Sequence, residues 1–290
     1  MEKTNNYYNI IINYLNYFNF IYEGNSYLLY SIFLPPVFLN YPFKPNKSKW
    51  SKWNESFWPY TYCTSIVPIE KYYILGNTLG LPRLTQFLRN ITYINSYILG
   101  LMIGVILGGG HLSFTNNTTS PRLIFNQSII NFPFFWNVYI NLIHYIPSIP
   151  RFGINSVKGI NYYYTAFQTR NYPIFIFLYN LFYTDSIKTI SPELIHYFTP
   201  VSLAYWIMSD GVSNKYALTL CTDRFTIQEV VLLINILIIK YDLNCSIHKS
   251  NNNLRIYIKA ESIDKLHKLV DPYIIPFSAY KLKNEKRFNI

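Results

Sequence analysis

The sequence predicts an α/β chain in which one helix-and-sheet unit occurs twice in tandem. Two helix-like segments stop at positions 109 and 210, a period of 101 residues. After each stop the same order recurs: strand, helix, two strands, helix. Hydrophobic residues make up 50% and charged residues 13% of the 290, so a sizeable core is available and wholesale disorder is excluded.

In the first unit, Asn95 or Ser96 can cap a helix running through Leu107, which Gly108, Gly109 and Gly110 stop. A strand over 122–127, a helix over 134–145, extended segments near 151–158 and 162–170, and an aromatic helix over 173–183 follow. The second unit opens with Thr199 as cap and Pro200 at the first helical position, a residue whose fixed φ suits that place. Its helix is expected to reach Ser209, before Asp210 and Gly211. A strand over 216–222 leads to Thr226-Ile-Gln-Glu229, a capping box opening a helix to Lys240. Segments 245–249 and 254–259, joined by Asn251-Asn-Asn253, read as a hairpin, and 262–270 as the last helix. Each half therefore shows three strands by pattern alone.

Composition narrows the function classes. The 25 basic and 14 acidic residues give a net charge of +11, which favours a polyanionic partner or an anionic membrane surface. The best candidate membrane segment, Tyr97 to Gly110, is only 14 residues long and ends in three glycines, short of the ~20 a spanning helix needs. No membrane span is expected. Cys63, Cys221 and Cys245 show no paired spacing, which excludes a zinc finger and argues against a disulfide framework. The 29 Tyr and 21 Phe against five Ala reflect A/T-rich codons, as in a fungal mitochondrial genome.

Residues 1–83 form a separate zone, rich in Asn and Tyr and broken by Pro. It reads as an extension ahead of the two units, 84–198 and 199–290. Its run Lys47-Ser-Lys-Trp-Ser-Lys-Trp53 pairs cations for phosphates with rings for bases, a nucleic-acid arm if it is more than a leader.

The two stopped helices end in Met102-Ile-Gly-Val-Ile-Leu-Gly-Gly-Gly110-His-Leu112 and Leu203-Ala-Tyr-Trp-Ile-Met-Ser-Asp-Gly211. Their flanks are Leu84-Thr-Gln-Phe-Leu88, Phe198-Thr-Pro-Val-Ser202, Leu220-Cys-Thr-Asp-Arg-Phe-Thr226, Pro272-Tyr-Ile-Ile-Pro276 and Tyr280-Lys-Leu282. Together these resemble the LAGLIDADG homing endonuclease and group I intron maturase family in its two-motif, single-chain form. The resemblance implies two αββαββα repeats related by a pseudo-twofold axis, with antiparallel sheets forming a basic saddle whose strands read base edges. It implies that the motif helices pack through small residues, here Gly104, Gly108 and Ala204, while Tyr205 stands where the family often has a small residue. Each helix should deliver one acid to bind divalent metal, Mg²⁺ by the family's habit.

The carry-over is unequal. Asp210 matches the second acid and would be the metal ligand. Gly109 stands where the first acid should be, and His111, a poor Mg²⁺ ligand as a neutral imidazole, does not replace it. Lys281, in the family-like ending, is placed to neutralise a phosphate near the active site. Arg122, Gln127, Gln168, Arg170, Lys215, Arg224, His248, Arg255, Tyr257 and Lys259 lie in or near predicted strands and are candidates to face nucleic acid. Alternation along a strand sends half of such residues to the other face; apolar neighbours single out Arg170 and Lys259.

Three functions fit. The first is an intron-encoded maturase that binds its own group I intron RNA in the mitochondrial matrix and stabilises it for splicing, with a nuclear-encoded helper protein as a further partner. The second is an Mg²⁺-dependent site-specific endonuclease acting on double-stranded DNA at the intron insertion site, either cutting both strands or reduced to nicking. The third is a repurposed, non-catalytic RNA-binding subunit. Gly109 weighs against the second and Asp210 against the third.

Overall fold

The protein's structure, a computed structural model, describes residues 84–115, 118–157, 159–214, 217–250 and 253–282. The extension, with its Lys47–Trp53 run, and Lys215 lie outside the described residues.

Capping chemistry sets the helix starts. A short helix α1 (Gln86–Asn90) begins at Thr85, whose hydroxyl accepts from the Leu88 N–H. Helix α2 (Ser96–Leu107) begins at Asn95, whose side chain accepts from the Ile98 N–H at 2.8 Å. Strands β1 (His111–Ser113) and β2 (Arg122–Ser128), helix α3 (Phe132–Leu142), and strands β3 (Arg151–Val157) and β4 (Ile160–Gln168) complete the first sheet and its cover. Helix α4 (Ile174–Phe182) runs into a two-residue hairpin, β5 (Tyr183–Thr184) and β6 (Ile187–Lys188). Asp185 and Ser186, at φ 50° and 64°, close it in the left-handed region that such tight hairpins require.

After the one-turn helix α5 (Leu194–Tyr197), the unit repeats. Helix α6 (Pro200–Asp210) opens with a reciprocal capping box between Thr199 and Ser202. It runs through Asp210, one residue beyond the expected end. Strands β7 (Gly211–Asn214) and β8 (Ala217–Cys221), helix α7 (Ile227–Tyr241), strands β9 (Cys245–Ser250) and β10 (Asn253–Ile258), and helix α8 (Ile263–Val270) follow.

Both sheets are antiparallel and four-stranded, ordered β1-β2-β4-β3 and β7-β8-β10-β9. The pattern reading gave three strands per half. Strands β1 and β7 escaped it because they are three and four residues long, too short for alternation to show, and exist through pairing with β2 and β8. The resulting layout is the tandem αββαββα saddle that the family resemblance implies.

Alternation assigns the sheet faces. In β2, Leu123 and Phe125 are fully buried, and Phe125 packs with Phe134, Phe135 and Phe167, so Arg122, Ile124 and Asn126 point to the open face. In β10, Ile256 and Ile258 are buried, which turns Arg255 and Tyr257 outward.

The two motif helices cross at very close range. A Cβ on Gly100 would lie 2.5 Å from Thr199 Oγ1, and one on Gly104 would lie 2.7 Å from Tyr205 Cβ and collide with the Ser202 carbonyl. One on Gly108 would overlap the Ser209 side chain. Gly100 and Gly104 of α2 and its C-cap Gly108, spaced four apart, therefore face Thr199, Ser202, Tyr205 and Ser209 of the partner segment. Gly104 and Gly108 stand where expected; Ala204 does not. By the 3.6-residue period it lies on the other side of α6 from Ser202, Tyr205 and Ser209. The aromatic side chain at 205 is accommodated because Gly104 leaves its Cβ room. Its hydroxyl donates to Asn137 Oδ1 at 2.8 Å and meets Tyr97 Oη at 3.1 Å.

Candidate nucleic-acid interface

The C-terminal ends of α2 and α6 meet at one point. The Gly109 N–H donates to Ser209 Oγ at 3.2 Å, and that hydroxyl donates to Asp210 Oδ1 at 3.3 Å. Each helix end is covered by a lysine. Lys281 Nζ donates to the carbonyls of Met208 (2.6 Å) and Ser209 (3.0 Å). Lys188 Nζ donates to the carbonyls of Ile106 and Gly110. Cations are favoured there because the carbonyl dipoles of a helix sum to a partial negative charge at its C-terminus. Lys188 was missed in the sequence because it sits on a two-residue strand. The duplication is the signal that would have found it, since a cap at one helix end predicts another.

Burial pushes the Asp210 carboxyl up from its ordinary value, opposed by the Ser209 hydroxyl and then by Lys281, Arg224 and Lys188. Lys188 is pushed down to about 8, first by burial and then by Arg224, with Asp210 acting the other way. Burial also lowers Lys281, against the pull of Asp210. His111 is lowered by burial and by Lys188 and Arg224. Arg224, in the turn before α7, thus belongs to this group.

One carboxylate among these cations does not fit the pair of metal ions implied by the resemblance. Among the described residues no three His, Cys, Asp or Glu side chains converge as a metal site. The Gly109 position is nevertheless open. A Cβ there would meet Gln127 Nε2 at 3.5 Å and Asn126 O at 3.9 Å, ordinary contacts. Gln127, whose Oε1 accepts from Asn131 Nδ2 at 3.3 Å, therefore lies beside the missing acid.

The other candidates form two groups. On the open face of the second sheet, His248 and Tyr257 stack with ring centroids 4.1 Å apart. Arg255, opposite His248 in the register, reaches Asp223 Oδ1 at 3.4 Å, and Lys259 is exposed just past the strand end. Arg122, Gln168 and Arg170 line a cavity at the outer end of the first sheet.

A duplicated saddle with two glycine-packed helices ending at a shared, lysine-capped point defines the class. Residues 99–266 match the profile of the LAGLIDADG DNA endonuclease family, and the chain belongs to that family. Cytochrome b mRNA maturase bI2 of Saccharomyces cerevisiae is 32% identical over 208 residues, covering 67% of this chain and 49% of the relative. Probable intron-encoded endonuclease 1 of Wickerhamomyces canadensis is 42% identical over 123 residues, covering 40% and 53%. The chain spans about half the length of these two relatives. The homing endonuclease I-WcaI, solved bound to its DNA recognition sequence, matches with a TM-score of 0.65 and 30% identity over 71% of this chain and 96% of its own. Among the described residues no helix is long and apolar enough to cross a membrane.

Proposed function

We propose that this chain is an intron-encoded maturase, which binds a mitochondrial group I intron RNA and holds it in its splicing-competent fold. The observation that carries the reading is the asymmetry of the helix ends: both lysine caps are kept, but one acid is glycine. Concerted cleavage of two strands needs charge stabilisation at each, and loss of one stabilising group lowers such a rate by about 10²–10³-fold. Binding RNA through a basic surface needs neither acid. The similarity to cytochrome b mRNA maturase bI2 supports this reading. Units 84–198 and 199–290 would act as the two halves of the RNA-binding saddle, in the mitochondrial matrix, with a nuclear-encoded helper protein as a further partner. Any Mg²⁺ at Asp210 would have to be completed by water and nucleic-acid phosphates.

The similarity to I-WcaI favours a second reading, a DNA endonuclease that nicks one strand through Asp210. One experiment separates the two. The protein is incubated with Mg²⁺ and a supercoiled plasmid carrying the intronless exon junction, and in parallel with precursor RNA containing the intron. Faster splicing with the plasmid left supercoiled is the expected result. Open-circular or linear plasmid at substoichiometric protein, with no effect on splicing, replaces the maturase reading with the endonuclease one.

A further inference from the structure

Helix α8 carries a buried histidine, His267, whose two ring nitrogens both meet oxygen. Nδ1 lies 2.8 Å from Asp271 Oδ1, and Nε2 lies 2.9 Å from the Leu282 carbonyl. An ionised carboxylate and a backbone carbonyl only accept hydrogen bonds. A neutral imidazole has one N–H and one lone pair, so one of the two oxygens would face that lone pair. A ring protonated at both nitrogens donates to both, and the half-exposed Asp271 carboxylate beside it favours the positive charge. The other charged groups of α8 are committed or exposed. Lys265 pairs with Asp242, and Asp264 and Lys268 are exposed. The turn before α8 brings Glu261, which accepts from Asn244 Nδ2, and the turn after it brings Tyr273, whose ring meets Tyr97. Helix α6, against which α8 packs, has no charged residue before Asp210 at its far end.

The carbonyl held by His267 belongs to the neighbour of Lys281. Their segment, Pro276–Leu282, carries no charge but Lys281 and, as its other titratable group, the exposed Tyr280. Before it, the Ile275 N–H meets Met208 Sδ at 3.5 Å, so the chain returns along the end of α6. There the Lys281 ammonium covers the Met208 and Ser209 carbonyls and draws the Asp210 carboxyl down. His267 therefore ties α8 to the residue that follows the cap.

We propose that His267 is a positioning residue for Lys281: protonated on both nitrogens, it latches segment 276–282 to α8 and keeps the ammonium over the end of α6. When the ring loses one proton, the other stays on Nδ1, because a hydrogen bond to a carboxylate is stronger than one to a carbonyl. The Nε2 lone pair then faces the Leu282 carbonyl and the latch loosens. The cation at the paired helix ends thus answers to a proton bound on another helix. The inference holds whichever nucleic acid the chain takes.

The test uses the full chain and the variants His267→Gln, His267→Phe, Asp271→Asn and Lys281→Met. Long-range proton–nitrogen NMR spectra of the histidine rings show which nitrogens of His267 are protonated, its signal being the one missing from His267→Gln. Hydrogen exchange, corrected for its intrinsic pH dependence, gives the protection of amides 277–282. As pH is raised through loss of the second ring proton, that protection should fall about 10- to 100-fold, the factor for one hydrogen bond to a charged group. The Asp210 carboxyl carbon resonance should shift in the same step, and not in Lys281→Met. His267→Gln, whose amide still donates but does not titrate, should keep the protection and lose its pH dependence. His267→Phe should show low protection at every pH. Asp271→Asn, which removes the favouring charge, should move the step to lower pH, and it serves if the phenylalanine variant does not fold. A wild-type ring carrying one N–H throughout overturns the proposal. So does protection that stays constant as the second proton leaves, or an Asp210 shift that is the same in wild type and Lys281→Met.

Discussion

Gly109 and Ser209 are joined by a hydrogen bond from the backbone N–H of one repeat to the hydroxyl of the other, 3.2 Å long. Through it, the end of the first motif helix is held beside the carboxylate of the second without contributing a charge of its own.

The open space at Gly109 makes Gly109→Asp the most informative change at this point. The nearest atom to the new Cβ would be Gln127 Nε2 at 3.5 Å, so the variant should fold with stability within about 1 kcal/mol of wild type. Its carboxylate would join Asp210 among Lys188, Lys281 and Arg224. Mg²⁺-dependent cutting of an intronless exon-junction plasmid should rise above wild type, and Asp210→Asn added to the variant should abolish the gain. A folded variant no more active than wild type would show that more than the acid has been lost.

Gly104→Ala should do the opposite, harming the fold. The added methyl meets Tyr205 Cβ at 2.7 Å and the Ser202 backbone, and neither can yield without separating the helices. Overpacking of this kind costs about 1–3 kcal/mol. Urea unfolding should show that loss for Gly104→Ala and little for Gly109→Ala; equal midpoints would mean that the helices separate freely.

Lys188 gives stability a specific pH dependence. Its folded value, pushed down to about 8 from about 10.5, means that between these limits the unfolded chain binds more protons than the folded one. Stability contributed through this group must therefore rise as pH increases through that window, by at most about 1.4 kcal/mol per pH unit. Urea midpoints from pH 8 to 9.5 should climb more steeply in wild type than in Lys188→Met. Parallel slopes would show that Lys188 stays charged when folded.

The His248–Tyr257 stack offers an aromatic surface on the open face of the second sheet. Tyr257→Ala should weaken single-stranded RNA binding by about 1–3 kcal/mol, the range for one stacked base, with the salt slope unchanged. Arg255→Met should lower the slope by less than a free arginine would, because Asp223 already neutralises part of its charge. Anisotropy titrations at several salt concentrations separate the two; an unaltered affinity for Tyr257→Ala removes the stacking role.

Capping residues made the long helices readable from sequence. Thr199 with Pro200 and Thr226 with Glu229 each mark a start to the residue, and Asn95 or Ser96 marks one to within a residue, because the hydrogen bonds that begin a helix are local. What sequence hid depends on distant partners. Strands β1 and β7 exist through register with β2 and β8. Lys188 reaches Gly110, 78 residues away in the chain, across a hairpin too short to leave a pattern. Which face of α6 is met, and so where Ala204 lies relative to it, depends on Gly100, Gly104 and Gly108 of the other helix.

The glycine stripe on α2 also has an evolutionary consequence. A symmetric pair of helices must offer the same patch twice, but here one side is bare backbone and the other carries Ser202, Tyr205 and Ser209. Two copies of the first half would set glycine against glycine, and two copies of the second would bring tyrosine against tyrosine. Neither pairing reproduces the fit of bare backbone against side chains seen here, so halves from a split gene would fit each other better than either fits itself.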